Sequence, residues 1–290
     1  MIIDCHYHLD EQMMPMSHLL AEMDRNNIAK TALIARVCEP FYSPADFITT
    51  LKANVGRACL RNVPPLGAAI YRSLMDNQGT FLPHGQPISI IQEPDNKPVV
   101  DAVARNPERF IGWIAVNPNL QTEAMQVIED LSVLPGMIGV KVHWFFHRFA
   151  HDMLDQVAGY CQERSLPMLV HLPPDPDACF YLPHKFPQLK VIYAHAGVPW
   201  FKKVWGLAHS LPNVFIDLSS DYLDAKSLRM AVEYVGHRKC LFGTDGPFGL
   251  PQPGDIYDYS RMKGWIENLS IGQSETDAIL CSNFLSLISL

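Results

Sequence analysis

No apolar run in this sequence approaches the roughly 18–20 residues that a membrane-spanning helix needs, so no membrane span is expected. Basic residues are scattered, with only brief pairs such as Lys202-Lys203 and Arg238-Lys239, and the formal net charge is −7. A nucleic-acid surface needs a basic stripe, and none is present. The opening MIIDCHYHLDEQ lacks a basic segment followed by an apolar one, so a secretory leader is not expected. Without such a leader, Asn268-Leu269-Ser270 reads as a chance match to a glycosylation sequon. The seven cysteines (5, 38, 59, 161, 179, 240 and 281) are odd in number, dispersed and free of any CxxC. That pattern fits free thiols in a reducing cytoplasm better than a disulfide framework. A GxGxxG is also missing after the first apolar run, which counts against a dinucleotide-binding fold.

What is present is a recurring alternation. Short apolar, β-branched runs occur at Met1–Cys5, Thr31–Val37, Phe110–Val116, Ile138–His143, Pro167–His171, Lys190–His195, Val214–Leu218 and Lys239–Gly243. Helical patterns lie between them, at Pro98–Asn106, Asp152–Arg164 and Ser227–Val235 for example. Strand and helix in alternation imply parallel crossovers, and eight such units are the count of a closed (β/α)8 TIM barrel. An open, doubly wound sheet is the alternative. The whole chain, 1–290, reads as a single domain, closed by a helix over Ser274–Leu290 that begins with an apparent capping box, Ser274-x-x-Asp277.

One connection breaks the regularity. About seventy residues, Cys38 to Arg109, separate the second and third strands. Pro44–Arg61 is a candidate helix, and Asn62–Pro98, rich in Pro and Gly, reads as loop. So long an insertion in a compact domain is expected to be lid-like or to bind a ligand.

Polar residues stand where the strands end. His6 and His8 follow the first run, and alternate residues of a strand share a face. His171 ends PMLVH, His195 ends VIYAH, and Asp245 follows CLFGTD. Any one of these is more simply a hydrogen-bonded rim residue. In a barrel, however, the carboxyl ends of strands 1, 5, 6 and 8 lie on one face, where this fold builds active sites. Imidazoles with a carboxylate suit Zn²⁺ or a similar divalent ion with one position open to water. A carboxylate touching both ion and water can move the attacking proton.

These residues, with their surroundings, carry a resemblance. IIDCHYH, NPERFIGWIAVNP, GVKVH, LPMLVH, VIYAHAGVPW, LFGTDGPF and ILCSNFLSLI occur in that order over nearly the whole chain. The sequence resembles the amidohydrolase superfamily, in its amidohydrolase-related branch that includes aminocarboxymuconate-semialdehyde-decarboxylase-like proteins. The resemblance implies a (β/α)8 barrel with His6, His8, His171 and Asp245 around one metal ion, with Zn²⁺ expected. It also implies a catalytic or carbonyl-polarising role for His195. Lys141 stands where two-metal members carry a modified lysine bridging a second ion; the single-metal alternative makes it a substrate-anion contact or a barrel-interior residue. Gly246 stands where many relatives carry a larger residue.

Further substrate contacts are expected from His143, which shares a face with Lys141, from Trp144 at the head of an aromatic and basic loop, and from Trp200. Packing on the barrel rim is an equal alternative for both tryptophans. Arg61, Arg72 and His84 read as solvated. Two activities share such a site. The first is hydrolysis of an amide, ester or lactone of a small molecule by metal-activated water, with Asp245 shuttling the proton and His195 stabilising the developing charge. The second is non-oxidative decarboxylation of a small unsaturated or aromatic acid. A non-catalytic barrel would have lost ligands, and all the implied ones are present. A homodimer is the default assembly.

Overall fold

The computed structural model describes residues 1–42, 46–250 and 255–288. Eight parallel strands lie in chain order in one sheet: β1 Ile3–His8, β2 Lys30–Ile34, β3 Phe110–Val116, β4 Met137–His143, β5 Met168–His171, β6 Val191–Tyr193, β7 Val214–Asp217 and β8 Cys240–Leu241. Except for half-buried Lys30 and Phe215, every strand residue is buried. That is why the strands read as continuous apolar runs rather than as alternations. The ring closes where β1 meets β8 and the segment after it. Cys5 N donates to Phe242 O at 2.9 Å, Asp245 N to His6 O at 2.7 Å and His8 N to Gly246 O at 2.6 Å.

Strand boundaries differ from the sequence expectation in instructive ways. β1 continues past Cys5 to His8, so both histidines belong to the strand, and β2 stops at Ile34 rather than Val37. Helices cover the outside. Ala225–Val235 buries Leu228, Ala231, Val232 and Val235, one face of a helix, and starts at a capping box in which Asp224 and Ser227 exchange hydrogen bonds. The final helical stretch is not capped by Ser274 and Asp277. Gly272 is its cap, and Glu275 reaches back to the Gly272 N–H at 2.9 Å. The stretch widens at Ala278–Ser282 before a last turn, Asn283–Leu285, while Ser289 and Leu290 lie outside the described residues.

The insertion is more helical than its composition suggests. A helix runs over Phe47–Asn62 (Pro44 and Ala45 of the expected helix lie outside the described residues), and a second over Pro64–Ser73. The expected loop is therefore wrong over its first dozen residues. Pro64 and Pro65 begin a helix, where the missing N–H costs nothing. Pro98 likewise sits in the first turn of Lys97–Arg105. The two insertion helices cross so closely that a methyl group on Gly67 would lie 2.5 Å from Leu60 Cα. Arg57 and Arg61 pin them to the loop after β7, through Asp221 at 3.2 Å and Asp224 at 3.0 Å, and Arg72 donates to Pro174 O at 3.0 Å. Arg61 is thus an anchor rather than a solvated charge. Its helix follows the barrel because its cations face the barrel's carboxylates.

The turn after β6 carries a prediction. Gly197 has φ +87°, and a methyl group there would meet three Val204 side-chain atoms at 2.4–2.6 Å. Val204 is fully buried and cannot retreat. Gly197→Ala is expected to destabilise the fold by about 2–4 kcal/mol, from the left-handed backbone and the overpacking together. A urea midpoint equal to that of the wild type would refute it.

Candidate functional site

The carboxyl ends of the strands bring His6, His8, His171, His195 and Asp245 together. His6 Nε2 and His8 Nε2 face each other at 3.4 Å. Asp245 Oδ1 lies 3.5 Å from the first and 3.7 Å from the second, and its Oδ2 lies 3.8 Å from His195 Nε2. Ligand atoms of His6, His195 and Asp245 all fall within 4.8 Å of one another. His171 stands beside them, its ring centroid 4.8 Å from that of His195 and 4.1 Å from that of His143. Burial pushes the pKa of His6, His8, His143 and His195 well below the ordinary imidazole value, and that of His171 to about 3. All five rings are therefore neutral.

A residue that the sequence reading passed over sets the proton positions. Asp217, the last residue of β7, accepts from His6 Nδ1 at 2.8 Å, from His195 N at 2.9 Å and from Ser219 N at 3.1 Å. Ser219 Oγ donates to the same carboxylate, which can only accept, so the hydroxyl proton lies on that side. Ser219 Oγ is then an acceptor for His195 Nδ1 at 2.7 Å. His6 and His195 consequently carry their protons on Nδ1 and direct Nε2 lone pairs toward Asp245. The signal for Asp217 was there to be read: a carboxylate ending the buried run VFID.

Two neutral nitrogens and a carboxylate oxygen converge here with their lone pairs facing one another. Neutral imidazole nitrogens and a carboxylate oxygen are the donors that a borderline divalent ion takes, so the donor set fits such an ion. Lys141 approaches the same spot from inside the barrel, its Nζ 3.4 Å from His6 Nε2. Burial lowers its pKa to about 8, against the pull of Asp217 and Asp245. Asp4 ties the closure together by accepting from His6 N at 3.0 Å and from Thr244 N at 3.1 Å. Gly246 has no room to be larger, since a methyl group would lie 2.5 Å from the Tyr7 ring.

Above the cluster is a cavity of about 560 Å³. His8, His143, His171, His195 and Asp245 form its polar end, and Phe41, Phe81, Phe146, Tyr222, Phe248 and Tyr257 contribute aromatic surface. The insertion supplies one wall through Thr49, Lys52, Gly56, Arg57 and Leu60. His143 is held edge-on by the Phe146 N–H at 3.2 Å, with the Phe146 ring stacked on it. Trp144 does not reach the cavity. It is buried against Phe149, with Nε1 donating to Phe149 O at 2.8 Å, because the chain turns into a short helix directly after β4. Trp200 is also outside the cavity wall, donating to Pro173 O at 3.2 Å. The side chain of His84 lies outside the described residues.

Solved structures with this fold are distant in sequence. The 2,6-dihydroxybenzoate decarboxylase from Rhizobium is 16% identical, with a TM-score of 0.59 and 99% of this chain and 98% of that one covered. A dihydroxybenzoic acid decarboxylase from Polaromonas, with bound manganese and the inhibitor 2-nitroresorcinol, is 17% identical over 99% and 96% of the two chains, with a TM-score of 0.59. A probable 2-pyrone-4,6-dicarboxylic acid hydrolase from Acinetobacter baumannii, with citric acid bound, is 14% identical over 99% and 98%, again with a TM-score of 0.59. At these identities the likeness shows the barrel alone. The amidohydrolase family model, in contrast, matches residues 3–283, and the chain is an enzyme belonging to the amidohydrolase family.

Proposed function

We propose that the protein is a metal-dependent hydrolase of a small, planar ester, lactone or amide. His6, His8 and Asp245 would hold one divalent ion, with His171 as the fourth ligand. Nitrogen and carboxylate donors favour Zn²⁺. Such an ion, when bound, polarises a substrate oxygen and makes water acidic near neutrality. Asp245 takes the proton of the attacking water and returns it to the leaving group. His195 presents a lone pair at Nε2, so it acts as a proton acceptor that orients water. Stabilising developing negative charge would need a proton on that nitrogen, and Ser219 keeps the proton on Nδ1. The free cysteines suit a reducing compartment, and we place the protein in the cytoplasm.

The observation that favours hydrolysis is the distribution of cations around the cavity. A decarboxylase has to hold a substrate carboxylate. Among the described lining residues the cations are Lys52 and Arg57; Arg57 is paired with Asp221, and Lys52 is exposed at the rim. A neutral carbonyl compound needs no such partner. Decarboxylation remains the second reading, because aromatic walls suit an aromatic acid equally well. Incubation with panels of aryl esters, lactones and hydroxybenzoates separates the two. We expect acid release without CO₂, and trapped CO₂ from a benzoate with no acid release from any ester would overturn the assignment. Prolonged chelation is expected to abolish turnover, and Zn²⁺ or Mn²⁺ to restore it. Turnover that survives removal of all bound metal would refute the metal reading.

A further inference from the structure

The hydroxyls that line the cavity are spent, with one exception. Tyr257 donates to Thr244 O at 2.7 Å and Ser73 to Ile70 O at 2.6 Å, and the Thr244 hydroxyl donates to Asp4. Those of Thr49 and Ser220 lie against the carboxylates of Asp46 and Asp245. Tyr222 is the exception. Among the described residues no group pairs with its hydroxyl, and the oxygen is open to the cavity rather than sealed in the packing. The ring stands at the polar end, its centroid 5.6 Å from that of His195 and 6.0 Å from that of Tyr71. Burial raises the phenol pKa, and the nearby Asp245 carboxylate raises it further, so the hydroxyl is protonated at neutral pH. Its loop is fixed by arginines from outside. Arg61 donates to Tyr222 O at 3.0 Å, and Asp221 is shared by Arg57, at 3.2 Å, and Arg261. The phenol is a held donor without an acceptor.

Hydrolysis needs such a donor. Addition of water moves the carbonyl π pair onto oxygen, and groups already aimed at that charge stabilise it without reorganising. His195 presents a lone pair there rather than a proton, Lys52 is exposed at the rim, and Arg57 is paired with Asp221. Building on the hydrolase reading above, we infer that Tyr222 is a catalytic residue whose O–H donates to the substrate carbonyl oxygen as negative charge develops on it. The water oxygen bonds to the carbonyl carbon while one of its protons passes to Asp245. The bond to the leaving group then breaks, the pair on oxygen re-forms the carbonyl, and the leaving group takes the proton from Asp245. The phenol keeps its own proton throughout.

Tyr222→Phe tests this with phenyl acetate, 4-nitrophenyl acetate and the lactone dihydrocoumarin. The variant keeps the ring beside Tyr71 and His195, and the lost hydroxyl leaves no protein group unpaired; the melting temperature is the control for folding. The expected fall in kcat is about 10²-fold, the scale of losing one oxyanion donor, with KM little changed. The fall is expected to be equal for the two acetates, because the donor acts on the carbonyl oxygen and not on the leaving group. A wild-type kcat, a loss confined to KM, or a loss with phenyl acetate that vanishes with the better leaving group overturns the assignment. If the wild type cleaves no ester or lactone, the hydrolase reading falls, and the role of Tyr222 with it. A wild type that cleaves them and a variant that matches it overturn the role of Tyr222 alone.

Discussion

Asp245→Asn is expected to lower kcat by about 10²–10⁴-fold, the range a positioned acid–base group supplies. The substitution keeps the size of the side chain and removes its basicity. It also leaves the local backbone intact. Residue 245 has φ +65°, a conformation asparagine tolerates as well as aspartate, and its N–H still bonds to His6 O. Steady-state kinetics, with thermal unfolding as the control for folding, would check this. A kcat within threefold of the wild type at an unchanged melting temperature would show that the proton travels by another group. His195 would then be the candidate, because its Nε2 lies 3.8 Å from Asp245 and, unlike the nitrogens of His6 and His8, is not assigned to an ion in the proposed function.

Asp217→Asn is expected to weaken metal affinity by about 10–100-fold, although Asp217 need touch no ion. Its carboxylate only accepts, and four donors use it: His6 Nδ1, His195 N, Ser219 N and Ser219 Oγ. An amide in its place offers N–H groups to partners that are themselves donors. Relief comes from moving the His6 proton to Nε2, which points it at the metal position. The ion must then displace that proton, and His195 loses its fixed tautomer through Ser219. The mismatch is buried, so stability should fall as well, by about 1–3 kcal/mol. A chelator-competition titration separates the effects: affinity equal to the wild type with lowered stability would reduce Asp217 to a structural role.

The histidine and carboxylate cluster is legible in the sequence because chemistry and position coincide there. His6, His8, His171, His195 and Asp245 each end or directly follow an apolar run, and in a parallel barrel all such ends share a face. The insertion helix Pro64–Ser73 is not legible in that way. Its register over the barrel is decided by the Arg57, Arg61 and Arg72 contacts, which local pattern does not contain. The proline pair at its start was misread for a physical reason. Proline breaks a helix from within and begins one at its first turn, and composition does not distinguish the two. Trp144 fails in the opposite sense. It has the residue type of a ligand contact, but β4 ends one residue earlier, and the reversal turns the indole into the core.

The closure of the barrel has a consequence for how the protein is made. His6 and Asp245 come from opposite ends of the described chain, yet one backbone hydrogen bond of 2.7 Å joins them. A growing chain on the ribosome carries His6 and His8 from the outset but cannot assemble the donor set until Asp245 has emerged and β8 has docked against β1. If the proposed ligand set holds, ion capture is tied to completion of the ring, because every fragment that ends before Asp245 lacks the carboxylate of the set.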